Sequence, residues 1–218
     1  MDNLVFLEPN KINAIPFTTS DVIAKQTKNN YRSIQRTIEK QIKRLEAFGV
    51  MRFEITLPQK GSKGGRPKKV YLLNEPQATL LITFLKNNDI VADFKVELVK
   101  QFYTMRTELQ KRQIAKLDRK PIRRELTDVI QDDPNHGKWD FKIYTDLAYK
   151  TVLGKNAAQI RKERGANKHA IASDYMTSGE IQAVAKLENQ ISALKELGMD
   201  YQQIKMLLLN RQMVGNIA

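Results

Sequence analysis

Arg32, Arg36 and Lys40 recur every four residues, with Ser33, Gln35 and Lys43 beside them. On a helix that spacing places the three long cations in one stripe. Guanidinium, ammonium and amide groups in such a stripe suit guanine edges and phosphate oxygens. Between Asp21 and Glu46 the chain has seven basic residues and one acid, Glu39. An exposed helix ordinarily mixes charge signs so that residues four apart can pair. The competing account is a plain solvated face, but the one-sided charge favours a polyanionic partner.

A second basic cluster runs Lys60-Gly61-Ser62-Lys63-Gly64-Gly65-Arg66-Pro67-Lys68-Lys69, with five cations, three glycines and no acid. Glycines let a backbone approach a phosphate ridge closely. The Gly-Arg-Pro-Lys-Lys run resembles the core of an AT-hook, whose extended arginine enters a narrow A·T minor groove. The match is partial, because Gly64 stands where an AT-hook carries an arginine before its Gly-Arg-Pro. Lys60, Lys63, Arg66, Lys68 and Lys69 are the expected phosphate contacts, and a soluble hairpin tip is the bland alternative.

Catalytic and metal chemistry finds little support. The two histidines, His136 and His169, have no matching ligand at metal spacing. His136 reads as a group that fixes a loop, Asp132-Asp133 as a solvated helix end, and Trp139 and Phe141 as core. No phosphate-binding loop, nucleophile elbow or dinucleotide fingerprint occurs. The expectation is a non-enzyme with no cofactor and no metal. The 218 residues carry no cysteine, which removes disulfides, thiol catalysis and cysteine-ligated zinc and suits a reducing cytoplasm. No apolar run reaches the roughly 20 residues that span a bilayer, and the opening MDNLVFLEPNK does not read as a signal peptide. A soluble intracellular protein with no membrane partner is therefore expected. The net charge is +13, with 21 basic and 12 acidic residues in 1–118, so the surplus lies mainly in the first half.

The elements that must position these cations can be read from periodicity. Leu4–Leu7 reads as a short strand, with a second one possible up to Phe17. Thr19-Ser20-Asp21 offers helix caps before Val22-Ile23-Ala24, and Lys28-Asn29-Asn30 is turn chemistry. Ile34, Ile38, Ile42 and Leu45 then mark the buried stripe of a longer helix that Gly49 ends. Met51, Phe53, Ile55 and Leu57 alternate with polar residues as a strand, and Val70–Leu73 reads as its return. The intervening Pro58–Lys69 is 12 residues long, far beyond the usual hairpin loop of about 2–5. Helix, turn, helix, strand, long basic loop, strand is the order of a winged helix-turn-helix.

Beyond the hairpin the chain reads as helical: Glu75–Lys86, then Asp89 to about Leu117 with Phe94, Leu98, Phe102, Met105 and Leu109 on one face. The charged stretch after Gln110 reads as a solvated spacer. Helices follow at Phe141–Leu153, after Asn156 with Gln159, after Thr177 with Glu180, and after Asp200. Val184, Leu187, Ile191 and Leu194 share a face, and Leu208 lies in the apolar run Met206–Leu209. These five are the expected contacts of a homodimer, a higher oligomer or a protein partner.

The residues from Asn3 to about Arg106 resemble the Rha family of phage regulatory proteins. The resemblance rests on Leu4-Val5-Phe6, Thr19-Ser20, Gly65-Arg66-Pro67 with Tyr71-Leu72-Leu73, and Ala92-Asp93-Phe94-Lys95 through Phe102 and Met105. The chain departs from the family at Tyr31, where a histidine is frequent, and at Asn87-Asn88-Asp89, where a Thr-Gly step is frequent. His136-Gly137-Lys138-Trp139 through Tyr201 resembles the helical C-terminal domains appended to phage antirepressors. Together the resemblances imply a modular phage or prophage protein in the bacterial cytoplasm.

The resulting expectation is an α+β chain in three parts. Residues 1–112 form a winged-helix-like domain that binds double-stranded DNA, 113–132 a helical spacer, and 133–218 an all-α oligomerisation or partner-binding domain. Two other functions compete with transcriptional regulation: an antirepressor that binds a phage repressor protein, and a basic RNA-binding or replication-associated protein.

Overall fold

A computed structural model of the chain describes residues 2–57 and 67–215, with side chains described to residue 209. The architecture is mixed α+β and mostly helical, with one three-stranded antiparallel sheet and eight α-helices among the described residues. Two compact units divide the chain. The first comprises residues 1–8 and 14–107, the second residues 9–13 and 108–218.

In the first unit, β1 (Phe17–Thr19) leads directly into α1 (Ser20–Gln26) and α2 (Tyr31–Leu45). β2 (Arg52–Thr56) and β3 (Lys68–Asn74) follow, then α3 (Glu75–Thr83) and the start of α4 (Asp89–Asp132). The sheet order is β1-β3-β2. β3 pairs Leu72 with both Thr19 and Arg52, so the central strand ties the chain start to the hairpin. Leu4–Leu7 forms no strand of its own, and Phe6 makes a single bridge to Phe17.

Ile23, Ile34, Ile38 and Leu45 from α1 and α2 pack with Tyr71 and Leu73 of β3, Leu81 of α3, and Phe94, Leu98 and Phe102 of α4. The apolar spacing of α2 and α4 thus lands where periodicity places it. Each of these fully buried aliphatic side chains contributes about 1.5–3 kcal/mol on removal from water. β2 behaves differently. Its alternation is clean, yet Phe53 is 50 %, Ile55 61 % and Leu57 72 % exposed. The reason is position: β2 is an outer strand with β3 as its only partner in the sheet.

α3 opens on a capping box in which Asn74 and Gln77 bond each other's backbone N–H groups. The same two side chains reach back to the end of α2. The Gln77 amide donates to the Gly49 carbonyl at 2.8 Å, and the Asn74 amide to the Phe48 carbonyl at 2.9 Å. α2 itself ends at Leu45, and Gly49 closes the short 3-10 helix Glu46–Phe48 that follows, with φ +124°, a conformation that L side chains rarely adopt.

The second unit is helical: the later turns of α4, then α5 (Asp140–Leu153), α6 (Ala157–Glu163), α7 (Ser178–Glu196) and α8 (Tyr201–Gly215). The capping boxes at Asn156–Gln159 and Thr177–Glu180 are both formed. α4 runs well past Leu117, carrying Pro121 inside it. A proline there removes one backbone hydrogen bond and crowds the preceding turn. What holds the helix through it is burial, for Ala115, Leu126 and Ile130 all enter the second core. The stretch 113–132 therefore does more than space two domains.

Arg119, also on this stretch, is buried and forks onto fully buried Glu188 with two bonds of 2.7 Å. Burial opposes its charge, but the Glu188 bonds outweigh that and hold its pKa above the ordinary arginine value. Residues 9–13 belong to this unit as a strap. The Ile12 N–H donates to the Asp174 carbonyl at 2.8 Å, and Arg112 donates to Asn10 Oδ1 at 2.7 Å.

Two expectations about apolar residues are corrected here. Trp139 is 64 % exposed rather than core, because it sits at the N-cap of α5, outside the helix face that packs inward. Val184, Ile191 and Leu208 are buried in the chain's own second core, with Leu187 and Leu194 packed against it. A short helical unit spends that stripe on itself. Among the described side chains of α8, the large apolar ones left exposed are Met206, Leu207 and Leu209. His136 does fix its loop, its Nδ1 lying 2.9 Å from the Asp133 carbonyl oxygen.

Candidate nucleic-acid interface

The basic stripe is positioned from the core outward. α1 begins where Thr19 Oγ1 accepts the Val22 N–H at 3.2 Å. Its end is closed by Thr27, whose hydroxyl donates to the Ile23 carbonyl at 2.6 Å and accepts from the Asn29 amide at 2.9 Å. Lys28 takes φ +53° in the short turn, and Asn30 then caps α2 by accepting the Arg32 N–H at 2.8 Å. A tightly bonded turn of this kind sets the direction in which α2 leaves α1. The residue types at 28–30 mark a turn, whereas the capping role of Asn30 has no separate signal in the sequence.

With Ile34, Ile38 and Leu45 buried beneath it, α2 turns Arg32, Ser33, Arg36, Lys40 and Lys43 outward, all exposed. None of the four cations has a carboxylate within 4.0 Å among the described residues. From Arg32 to Lys43 is eleven residues, roughly 16 Å of helix axis. That length is commensurate with a DNA major groove about 12 Å wide.

Gln35 departs from the group. It is half-buried, and its amide donates to Ser20 Oγ at 3.1 Å. Ser20 is buried and also accepts the Tyr71 N–H at 3.0 Å, so Gln35 joins a node that locks α2 to α1 and β3. Alternation by helix angle alone places Gln35 beside the stripe. Only the buried hydroxyl, fifteen residues away, draws it inward.

The hairpin base is similarly tied. Lys68 pairs with Asp21, 47 residues earlier, and its Nζ lies 3.9 Å from the Tyr31 ring centroid. Tyr31 donates its hydroxyl to the Lys69 carbonyl oxygen. Burial foremost raises the Tyr31 pKa, so the phenol keeps the proton it donates. Lys69 Nζ sits 4.2 Å from the Phe53 ring and 4.5 Å from that of Tyr71. Lys68 and Lys69 are thus engaged within the protein, Lys68 with its charge already compensated. Lys60, Lys63 and Arg66 lie outside the described residues. Asp21 and Tyr31, which settle the hairpin against the helices, carry no sequence signal beyond their residue types.

Among the described residues no group of histidine, aspartate or glutamate side chains could hold a metal ion. No helix among them is long and apolar enough to cross a membrane.

Residues 18–107 match the family model of phage regulatory protein Rha. The match stops at Thr107, the residue at which the first compact unit also ends. No curated protein matches the chain.

Proposed function

We propose that this protein is a phage regulator that binds double-stranded DNA through its Rha segment, with α2 as the recognition helix. In this reading α1 and α2 form the helix-turn-helix, and the β2–β3 hairpin is the wing beside it. One observation carries the reading. Four cations stand on the outer face of a helix whose inner face is anchored in the core, and no carboxylate compensates them among the described residues. Leaving four like charges together costs electrostatic energy, and a phosphate backbone offsets that cost by releasing its condensed counterions. The β1-β3-β2 sheet supports the winged arrangement, since it sets a two-stranded hairpin immediately after the α1–α2 pair.

Arg32 and Arg36, near the start of α2, are the residues for base edges, and Lys40 and Lys43 those for phosphate. Gln35 is reassigned to holding the helix. The test is a titration of labelled duplex from the surrounding phage genome, followed by anisotropy against random duplex of equal length. Preference for the cognate duplex that is lost in Arg36→Ala supports the reading. Equal, salt-insensitive affinity for both duplexes counts against it.

A further inference from the structure

A cavity of about 770 Å³ opens within the second unit, lined by α4 between Gln113 and Arg123, by α5, and by the strap residues Ile12 and Asn13. Small-molecule sites ordinarily span about 300–1,000 Å³. The charged side chains that line it, Lys116, Arg119, Lys120 and Arg123, are all cations. Their charge is only partly compensated. Lys116 pairs with Asp174. Glu188 serves two arginines at once, Arg119 through its fork and Arg123 at 3.4 Å, which leaves one positive charge over. Lys120 has no carboxylate within 4.0 Å among the described residues.

Donor geometry points the same way. Arg119 spends Nε and Nη2 on Glu188 and the Tyr149 hydroxyl, and Nη1 has no protein partner among the described residues. The uncharged part of the wall is mixed: Ile12, Leu117, Tyr149 and Ile171 supply apolar surface, and Asn13, Gln113, Thr145 and Ser173 supply neutral polar groups. Leu117 and Ile171 are also strongly exposed, so their apolar surface is accessible to a ligand at this wall.

We infer that this cavity binds a small amphipathic anion. Its apolar or aromatic body lies against Ile12, Leu117, Tyr149 and Ile171, and its carboxylate, sulfonate or phosphate group meets Arg119 Nη1, Lys120 and Arg123. A nucleic-acid backbone supplies the anion without the apolar body, so a concave, apolar-walled site fits a small molecule better than a duplex. The inference concerns the second unit alone and does not rest on DNA binding by α2.

Two fluorescent probes test it on the full chain: 8-anilinonaphthalene-1-sulfonate, which is apolar and anionic, and N-phenyl-1-naphthylamine, its uncharged counterpart. The wild type is expected to bind the sulfonate saturably, at one site per chain. Lys120→Glu, at an exposed position, should weaken the sulfonate at least about tenfold and leave the neutral probe within about twofold. Thr145→Trp should exclude both probes by filling the cavity. If that variant does not fold, Ile171→Trp at the exposed mouth serves the same purpose. Absence of saturable binding, or unchanged sulfonate affinity in Lys120→Glu, overturns the inference. So does displacement of the sulfonate by duplex whose own binding is weakened by Lys120→Glu, because the cavity would then be a nucleic-acid contact.

Discussion

Replacing Lys40 and Lys43 together with glutamine removes two of the four cations of the α2 stripe without touching the core. Each phosphate neutralised contributes about −0.9 to the slope of log K against log salt on B-form DNA. The two phosphate contacts assigned to Lys40 and Lys43 together contribute about −1.8, which the double variant loses. Between 50 and 200 mM salt those two contacts account for about a 12-fold loss of affinity that the variant does not show. Cations of the long basic loop add to both slopes alike, so the difference of about 1.8 is the quantity to measure. Lys68→Gln provides the contrast. Its ammonium is paired with Asp21, so that substitution should flatten the slope by less than half of one full contact. The assay is anisotropy of a labelled duplex titrated at five or six salt concentrations. Parallel lines for the wild type and the double variant would refute the reasoning, since the stripe would then contribute no phosphate contact.

Other outcomes follow from the same geometry. Arg36→Ala should cost discrimination between cognate and random duplex, about 1–3 kcal/mol for a lost base contact, read from paired titrations. Glu188→Gln leaves Arg119 buried without its counter-charge and should destabilise the second unit by about 3–5 kcal/mol in chemical denaturation; a loss below about 1 kcal/mol would contradict the buried pair. Burial works against the ionised form of Glu180, but Arg164 and the Thr177 N–H outweigh it and hold its pKa below the ordinary 4.5. The stability it contributes is thus complete above pH 4.5 and fades as pH falls through the lower folded value, and Glu180→Gln should flatten acid unfolding in that window. The full chain is expected to self-associate through exposed Leu207 and Leu209. Light scattering should show Leu207→Glu/Leu209→Glu shifted to monomer with its helical content kept, and a wild type monomeric at micromolar concentration refutes this.

Local patterns were the legible part of the fold. The spacing of Ile34, Ile38 and Leu45, the capping boxes at Asn156 and Thr177, and the alternation around Phe53 each report a contact between near neighbours in sequence. What the sequence hid was long-range. Pro121 reads as a helix breaker, and only the burial of Leu126 and Ile130 beyond it explains why α4 continues. Alternation finds β2 but cannot say that the strand lies at an edge with both faces open. In the candidate interface, the cations of α2 were legible because charge and helix period coincide. The inward turn of Gln35 and the pairing of Lys68 depend on Ser20 and Asp21, partners that no local pattern identifies.

The strap at residues 9–13 bears on how the molecule is made. Arg112, which holds Asn10, lies 102 residues downstream of it. At about 5–20 residues per second, synthesis of that stretch takes on the order of 5–20 s, during which Ile12 has no groove to fill. The first unit can assemble in that interval, whereas the second must wait for helices made well after the strap before it recruits that segment. No single cut yields both units whole. A fragment beginning at residue 108 lacks Ile12 and the hydrogen bond to Asp174, and a fragment ending at 107 carries an orphaned strap whose Ile12 is bared. Dissection of this protein therefore calls for a circularly permuted or strap-supplemented second unit, and addition of a peptide covering 9–13 to the 108–218 fragment would measure how much of that unit's stability the strap supplies.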